Sequence, residues 1–263
     1  MTSQGQTLRE KASRLMNDYE ALGLRPGGQP AYTEAVISYQ QLLADHSGDA
    51  TLHQEYGYLQ ECHGRNLIRA AVACYERAIE LDPDWDKPHY QLTFARAALH
   101  ESELAIDLYK RRLAAAPDQI REYRFLANAY LRAGALEEAG KVIAAGRKLE
   151  PDDDALLAVE AEVLDASGRR EEALATWRRL KDRDSDDLSP YFMSAFTLEA
   201  LGRYREAAAE WHHIIGWLEA HDMAIHTTWP KEMLAGIEAK LASSDTHADD
   251  PGRLYRRVAP SQP

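Results

Sequence analysis

Small and bulky apolar residues recur along this chain on one fixed interval. Ala71, Ala105, Ala139, Ala173 and Ala207 stand 34 residues apart, and four residues after each comes Tyr75, Tyr109, Ile143, Trp177 or Trp211. The i, i+4 spacing places each small and large pair on one face of a helix, the methyl allowing close approach of a second helix and the large group filling the space beside it. Pro83, Pro117 and Pro151 follow the first three alanines by twelve residues and cannot continue a helix. Gly134, Gly168 and Gly202 precede theirs by five, at a turn. Each unit is predicted to run helix, turn, helix, stop. After Trp229, the residues Met233, Leu234, Ile237 and Leu241 form one more apolar stripe at helical spacing, with Pro230 suited to a first turn and Thr227 or Thr228 to a cap. Beyond Ser243 the chain turns polar.

The pattern resembles the tetratricopeptide repeat family, whose period is 34 and whose signature is a large residue, Leu, Gly, Tyr, Ala, an aromatic, Ala and Pro. In residues 120–153 the positions Tyr123, Leu126, Ala127, Tyr130, Gly134, Ala139, Ile143, Gly146 and Pro151 fall at the signature spacings. Residues 86–119, 154–187 and 188–221 follow in register. Residues 50–85 match with a turn two residues longer, since Gly64 precedes Ala71 by seven. A degenerate unit at 7–49 repeats the pair as Ala35 and Tyr39 after an enlarged loop, Leu24 to Pro30. The resemblance implies an all-α fold, a right-handed α-solenoid of about six helix-turn-helix repeats with a capping helix at 229–243. Residues 1–243 then form one domain and 244–263 a disordered tail.

Composition narrows the function. With 31 basic against 43 acidic residues the net charge is −12, so a nucleic acid is a poor partner. The N-terminal segment carries charges where a secretory signal needs an apolar run, and no stretch suits a membrane span, so a cytoplasmic location is expected. Cys62 and Cys74 have no metal-ligand spacing and read as buried or idle thiols. His212 and His213 point about 100° apart on a helix and cannot chelate as an i, i+4 pair would. Glu137 with Glu138, and Glu171 with Glu172, fall in first turns, where negative charge suits a helix N-terminus. No phosphate loop, H-E-x-x-H or G-x-S-x-G motif occurs. No enzyme activity, cofactor or metal is expected.

A binding surface remains. In the family that the chain resembles, first helices line a concave groove that holds a peptide. The positions carried over are Tyr58; Lys87, Tyr90, Gln91 and Phe94; Arg121, Arg124, Asn128 and Arg132; and Phe192 and Phe196. A basic centre lies between aromatic or apolar flanks, which fits an acidic peptide or partner protein with apolar anchors. The alternative for the arginines is a solvated face, or pairing with neighbouring glutamates. Some relatives clamp the C-terminal carboxylate of chaperone tails; Arg124 and Asn128 resemble the first pair of that clamp, but Val159 and Ala155 stand where its later polar ligands belong. A non-enzymatic adaptor is expected. The alternatives are a self-associating, homo-oligomeric scaffold and an accessory subunit or chaperone of a modifying enzyme.

Overall fold

The alanine and bulky pairs do settle into helix contacts. In the computed structural model, which describes residues 3–184 and 186–248, helices account for most of the chain and no strand occurs among the described residues. The helices are α1 (Ser3–Leu22), α2 (Gly28–Asp45), α3 (Ala50–Leu81), α4 (Asp86–Ala98), α5 (Ser102–Ala115), α6 (Ile120–Arg132) and α7 (Leu136–Gly146). They continue as α8 (Asp154–Ala166), α9 (Arg170–Arg183), α10 (Ser189–Ala200), α11 (Tyr204–Ala220) and, after a 3-10 turn at Ala224–Thr227, α12 (Thr228–Ala248). Contacts divide the chain into two bodies, residues 1–108 and 109–263.

Four turns that join the two helices of a pair share one geometry. His100, Gly134, Gly168 and Gly202 have φ of 59°, 76°, 79° and 72°. At Gly134 the N–H bonds the Leu131 carbonyl at 3.0 Å and the next N–H bonds that of Tyr130 at 2.9 Å, a Schellman closure. The other three turns repeat both bonds. A left-handed backbone suits glycine and costs a branched residue about 1–2 kcal/mol. His100→Gly should therefore raise stability by about 0.5–1 kcal/mol, the left-handed penalty less glycine's own entropic cost. Denaturant titration checks this, and an unchanged midpoint would contradict it.

In the second body the pairs lie in the core. Ala139 and Ile143 pack with Ala127, Leu156 and Val159; Ala173 and Trp177 pack with Leu157 and Ala161; Ala207 and Trp211 pack with Ala195 and Leu198. The glutamate pairs occupy the first turns of α7 and α9.

The first body departs from expectation. Residues 50–85 do not form a helix-turn-helix: α3 is one unbroken helix of 32 residues. Gly64 is not among the residues of positive φ, and no proline lies within Ala50–Leu81. The hydroxyl of Tyr19 lies 2.7 Å from His63 Nδ1 and accepts a 3.3 Å bond from the Asn66 amide, while Tyr32 stacks on His63 at 3.9 Å. These contacts from α1 and α2 hold the expected turn in helical form. Asp49 caps the start of α3, accepting from the N–H groups of Thr51 and Leu52. The loop before α2 is also shorter than expected, because α2 begins at Gly28 rather than after Pro30. Cys62 is partly buried, whereas Cys74 is exposed.

α12 covers the last helix pair of the second body. Leu234 and Ile237 are buried against Trp211, Ile214, Ile215 and Leu218, with Met233 and Leu241 beside them. Thr227 does not cap α12; its hydroxyl donates to the Ala224 carbonyl at 2.7 Å. The helix starts at Thr228 and continues past residue 243 to Ala248, so residues 244–248, expected in the tail, are helical. The remainder of the expected tail, 249–263, lies outside the described residues.

Candidate functional site: the rows of the first helices

Each first helix presents a row of non-core side chains, because its remaining face is consumed by packing. On α4, Lys87, Tyr90, Gln91 and Phe94 follow i, i+3, i+4, i+7 spacing and share one side. Lys87 is exposed, Tyr90 and Gln91 are partly buried, and Phe94 is 51% exposed. The opposite side of α4 carries the buried Pro88, His89 and Leu92. On α3, Tyr58 is partly buried and donates to Glu20 at 2.5 Å. That bond to a carboxylate, with a lesser contribution from Cys62, pushes its phenol up to about 12. Tyr58 thus links α1 to α3.

In the second body, Arg121, Arg124, Asn128 and Arg132 line one side of α6. They are less open than a recognition row requires. Asn128 is buried. Arg124 Nε lies 3.8 Å from an Asp153 carboxylate oxygen, and its guanidinium sits 6.0 Å from the Phe125 ring centroid. Arg132 pairs with Glu162 of α8. Asp153 also caps α8, accepting from the Leu156 N–H at 2.7 Å. Two arginines of the basic row therefore face two carboxylates from the cap and the body of α8, which cancels their charge locally. Arg121 is partly buried.

Phe192 and Phe196 of α10 are brought together, but not as an open flank. Trp229, from the start of α12, lies across both, 5.9 Å from the Phe192 ring and 6.0 Å from that of Phe196. Trp211 meets both rings edge-on from beneath and stands perpendicular to Trp229 at 5.5 Å. Trp229 itself remains 48% exposed. The signal that could have shown this was present in Trp229, the one large aromatic ahead of the lid stripe. Asp153 was harder to find, since nothing local marks the cap of α8 as the partner of an arginine on α6.

The histidines of α11 and its C-terminal end lie at the surface: His213 stacks on Tyr191 at 4.0 Å and His221 on Trp217 at 3.9 Å. Among the described residues no cluster of three or more His, Cys, Asp or Glu could hold a metal ion. No helix among them is long and apolar enough to cross a membrane.

The helix pairs, the left-handed turns and the buried small and bulky contacts define an α-helical repeat protein. The chain has the tetratricopeptide repeat fold. It superposes on a thermophilic tetratricopeptide repeat protein of Thermus thermophilus with a TM-score of 0.50 and 20% identity, over 62% of this chain and 90% of that one. A tetratricopeptide repeat protein from Parabacteroides merdae aligns over 94% of this chain and 97% of its own with a TM-score of 0.46 and 12% identity. In sequence, the chain is 33% identical over 87 residues to the Dictyostelium discoideum protein STIP1 homolog. That match covers 33% of this chain and 15% of the relative. No protein-family model matches the chain.

Proposed function

We propose that the protein is a non-enzymatic adaptor that holds a segment of a partner protein on a row of first-helix side chains. The observation that supports this reading most is Phe94. A large ring left half exposed on α4, one turn from Tyr90 and Gln91 and two from the exposed Lys87, offers an anchor. A segment that meets this row carries an apolar or aromatic side chain for Phe94 and a carboxylate for Lys87. The α6 row asks something different of a ligand. A carboxylate can reach Arg124 or Arg132 only by competing with Asp153 or Glu162, so this row selects by exchange of ion pairs rather than by raw positive charge.

The ion pairs also decide which substitution tests the idea. Arg124→Glu would set a carboxylate beside Asp153 and weaken the fold, so a loss of binding would report packing. Phe94→Ala avoids this. A partner captured by affinity pulldown and identified by mass spectrometry is titrated against wild type, Phe94→Ala and Arg178→Glu, the last an exposed residue of α9. Phe94→Ala should weaken binding by about 2 kcal/mol, roughly 30-fold, as truncating an interface anchor does. Arg178→Glu should change it by less than about threefold. Equal losses for the two variants, or none for Phe94→Ala, would remove α4 from the binding surface.

A further inference from the structure

α3 presents both halves of a helix-helix contact that it does not make. Elsewhere a small residue on the first helix meets the alanine and bulky pair on the second: Ala127 with Ala139 and Ile143, Ala161 with Ala173 and Trp177, Ala195 with Ala207 and Trp211. All nine side chains are 0–3% exposed. The corresponding groups of residues 50–85 are Gly57 on the first half of α3 and Ala71 with Tyr75 on the second. Gly57 lies seven residues after the first residue of its helix, as Ala127 and Ala161 do after Ile120 and Asp154.

These groups are not buried together. Gly57 is exposed, and a Cβ built on it would meet nothing within 4 Å. Ala71 and Tyr75 are partly exposed, Tyr75 resting with one side on Val72, Ile79 and Leu92, whereas Ala35 with Tyr39 and Ala105 with Tyr109 are 0–2% exposed. Leu67 and Leu81, on the same half, are 49% and 68% exposed. The cause is geometric. An unbroken helix rises about 1.5 Å per residue, so Gly57 and Ala71 are separated by roughly 21 Å along one axis and cannot touch.

We propose that two copies of the chain pair through α3, antiparallel and about a two-fold axis, so that residues 50–63 of each copy pack on residues 67–81 of the other. A two-fold interface must be self-complementary, and α3 meets that condition because its two halves are the two sides of one repeat contact. Antiparallel pairing makes that contact twice. It covers Gly57, Ala71, Tyr75 and Leu67 in each copy, and it places first helix against second helix in the antiparallel sense used within every other repeat. The sequence keeps the means to close the same contact within one chain. Gly64 stands 14 residues after the start of α3, as Gly134 and Gly168 do after the starts of α6 and α8, and Asn66 stands five before Ala71. Glycine and asparagine are the residue types that take a left-handed turn most readily. The straight helix is thus an opened hairpin, and a second copy supplies what the hairpin would have supplied. This inference is independent of peptide binding on α4.

Two measurements decide it. Size-exclusion chromatography with light scattering at micromolar concentration should give twice the chain mass for the wild type. Asn66→Gly/Ile68→Pro breaks α3 and puts proline at the first position of the second half, where a hairpin tolerates it; it should run as a folded monomer of unchanged helicity. The second measurement uses Gly57→Cys/Ala71→Cys in a Cys62→Ser/Cys74→Ser background under mild oxidation. On a non-reducing gel the paired arrangement gives a covalent dimer. A disulfide within one chain would show that the hairpin closes alone, and absence of any crosslink would show that the two faces never meet. Either result, or a monomeric wild type, overturns the proposal. It would leave the α4 binding test untouched.

Discussion

Truncation after Ala220 should destabilise the last repeat by about 3–6 kcal/mol, whereas truncation after Ser243 should be nearly silent. The first cut removes Leu234 and Ile237, which are buried on the core of α10 and α11, and burying each such side chain is worth about 1.5–3 kcal/mol. It also removes Trp229 from Trp211, Phe192 and Phe196. Trp211 is fully buried, so its exposure should shift tryptophan emission to the red and raise binding of a hydrophobic dye. The second cut leaves every one of these contacts in place. Thermal melts of the two truncations read the difference directly. Matching melts would mean that α12 is not the cover of the array.

The contrast between the two ends shows what a single sequence can reveal about such a fold. From α6 onward the determinants are local: a glycine at the left-handed position, an alanine five residues on, a bulky side chain four further. Each is legible because the backbone requirement and the packing requirement recur on one period. α3 escaped that logic. Gly64 and Asn66 carry turn chemistry, but Tyr19 binds Asn66 from 47 residues away and a helical bond pattern wins. No local signal announces such a contact. Between recognition and pairing with neighbouring carboxylates, the two readings of the basic row, the sequence could not choose for a related reason. Arg124 and Arg132 look like surplus charge along their own helix, yet their partners Asp153 and Glu162 come from the cap and the body of α8. The aromatic flank at Phe192 and Phe196 was legible as a cluster, but its cover was not, because Trp229 reaches it only through the placement of the lid.

Ion pairing between successive repeats is also where the second large effect is expected. Glu122, in the first turn of α6, has a side chain 5% exposed and accepts from Arg112 Nε at 2.8 Å and Nη2 at 2.7 Å. Its position near a helix N-terminus adds a favourable dipole. Such a bidentate pair is geometrically strong, but taking both charges out of water offsets much of the Coulomb gain, so the pair as a whole adds little net stability. Breaking it is another matter. Arg112→Met leaves the Glu122 carboxylate buried without its guanidinium and should cost about 3–5 kcal/mol. Glu122→Met should cost less, about 2–3 kcal/mol, because the Arg112 side chain is 21% exposed and can turn partly to water. The double variant, with two apolar side chains of similar volume in contact, should recover most of the loss, leaving about 1 kcal/mol, so the coupling energy from the cycle should reach about 4–7 kcal/mol. Urea titrations of the four proteins give that number. A coupling below about 0.5 kcal/mol would mean that the pair behaves as an exposed one, and that the packing of Phe125 and Leu126 behind it, rather than the charges, aligns α6.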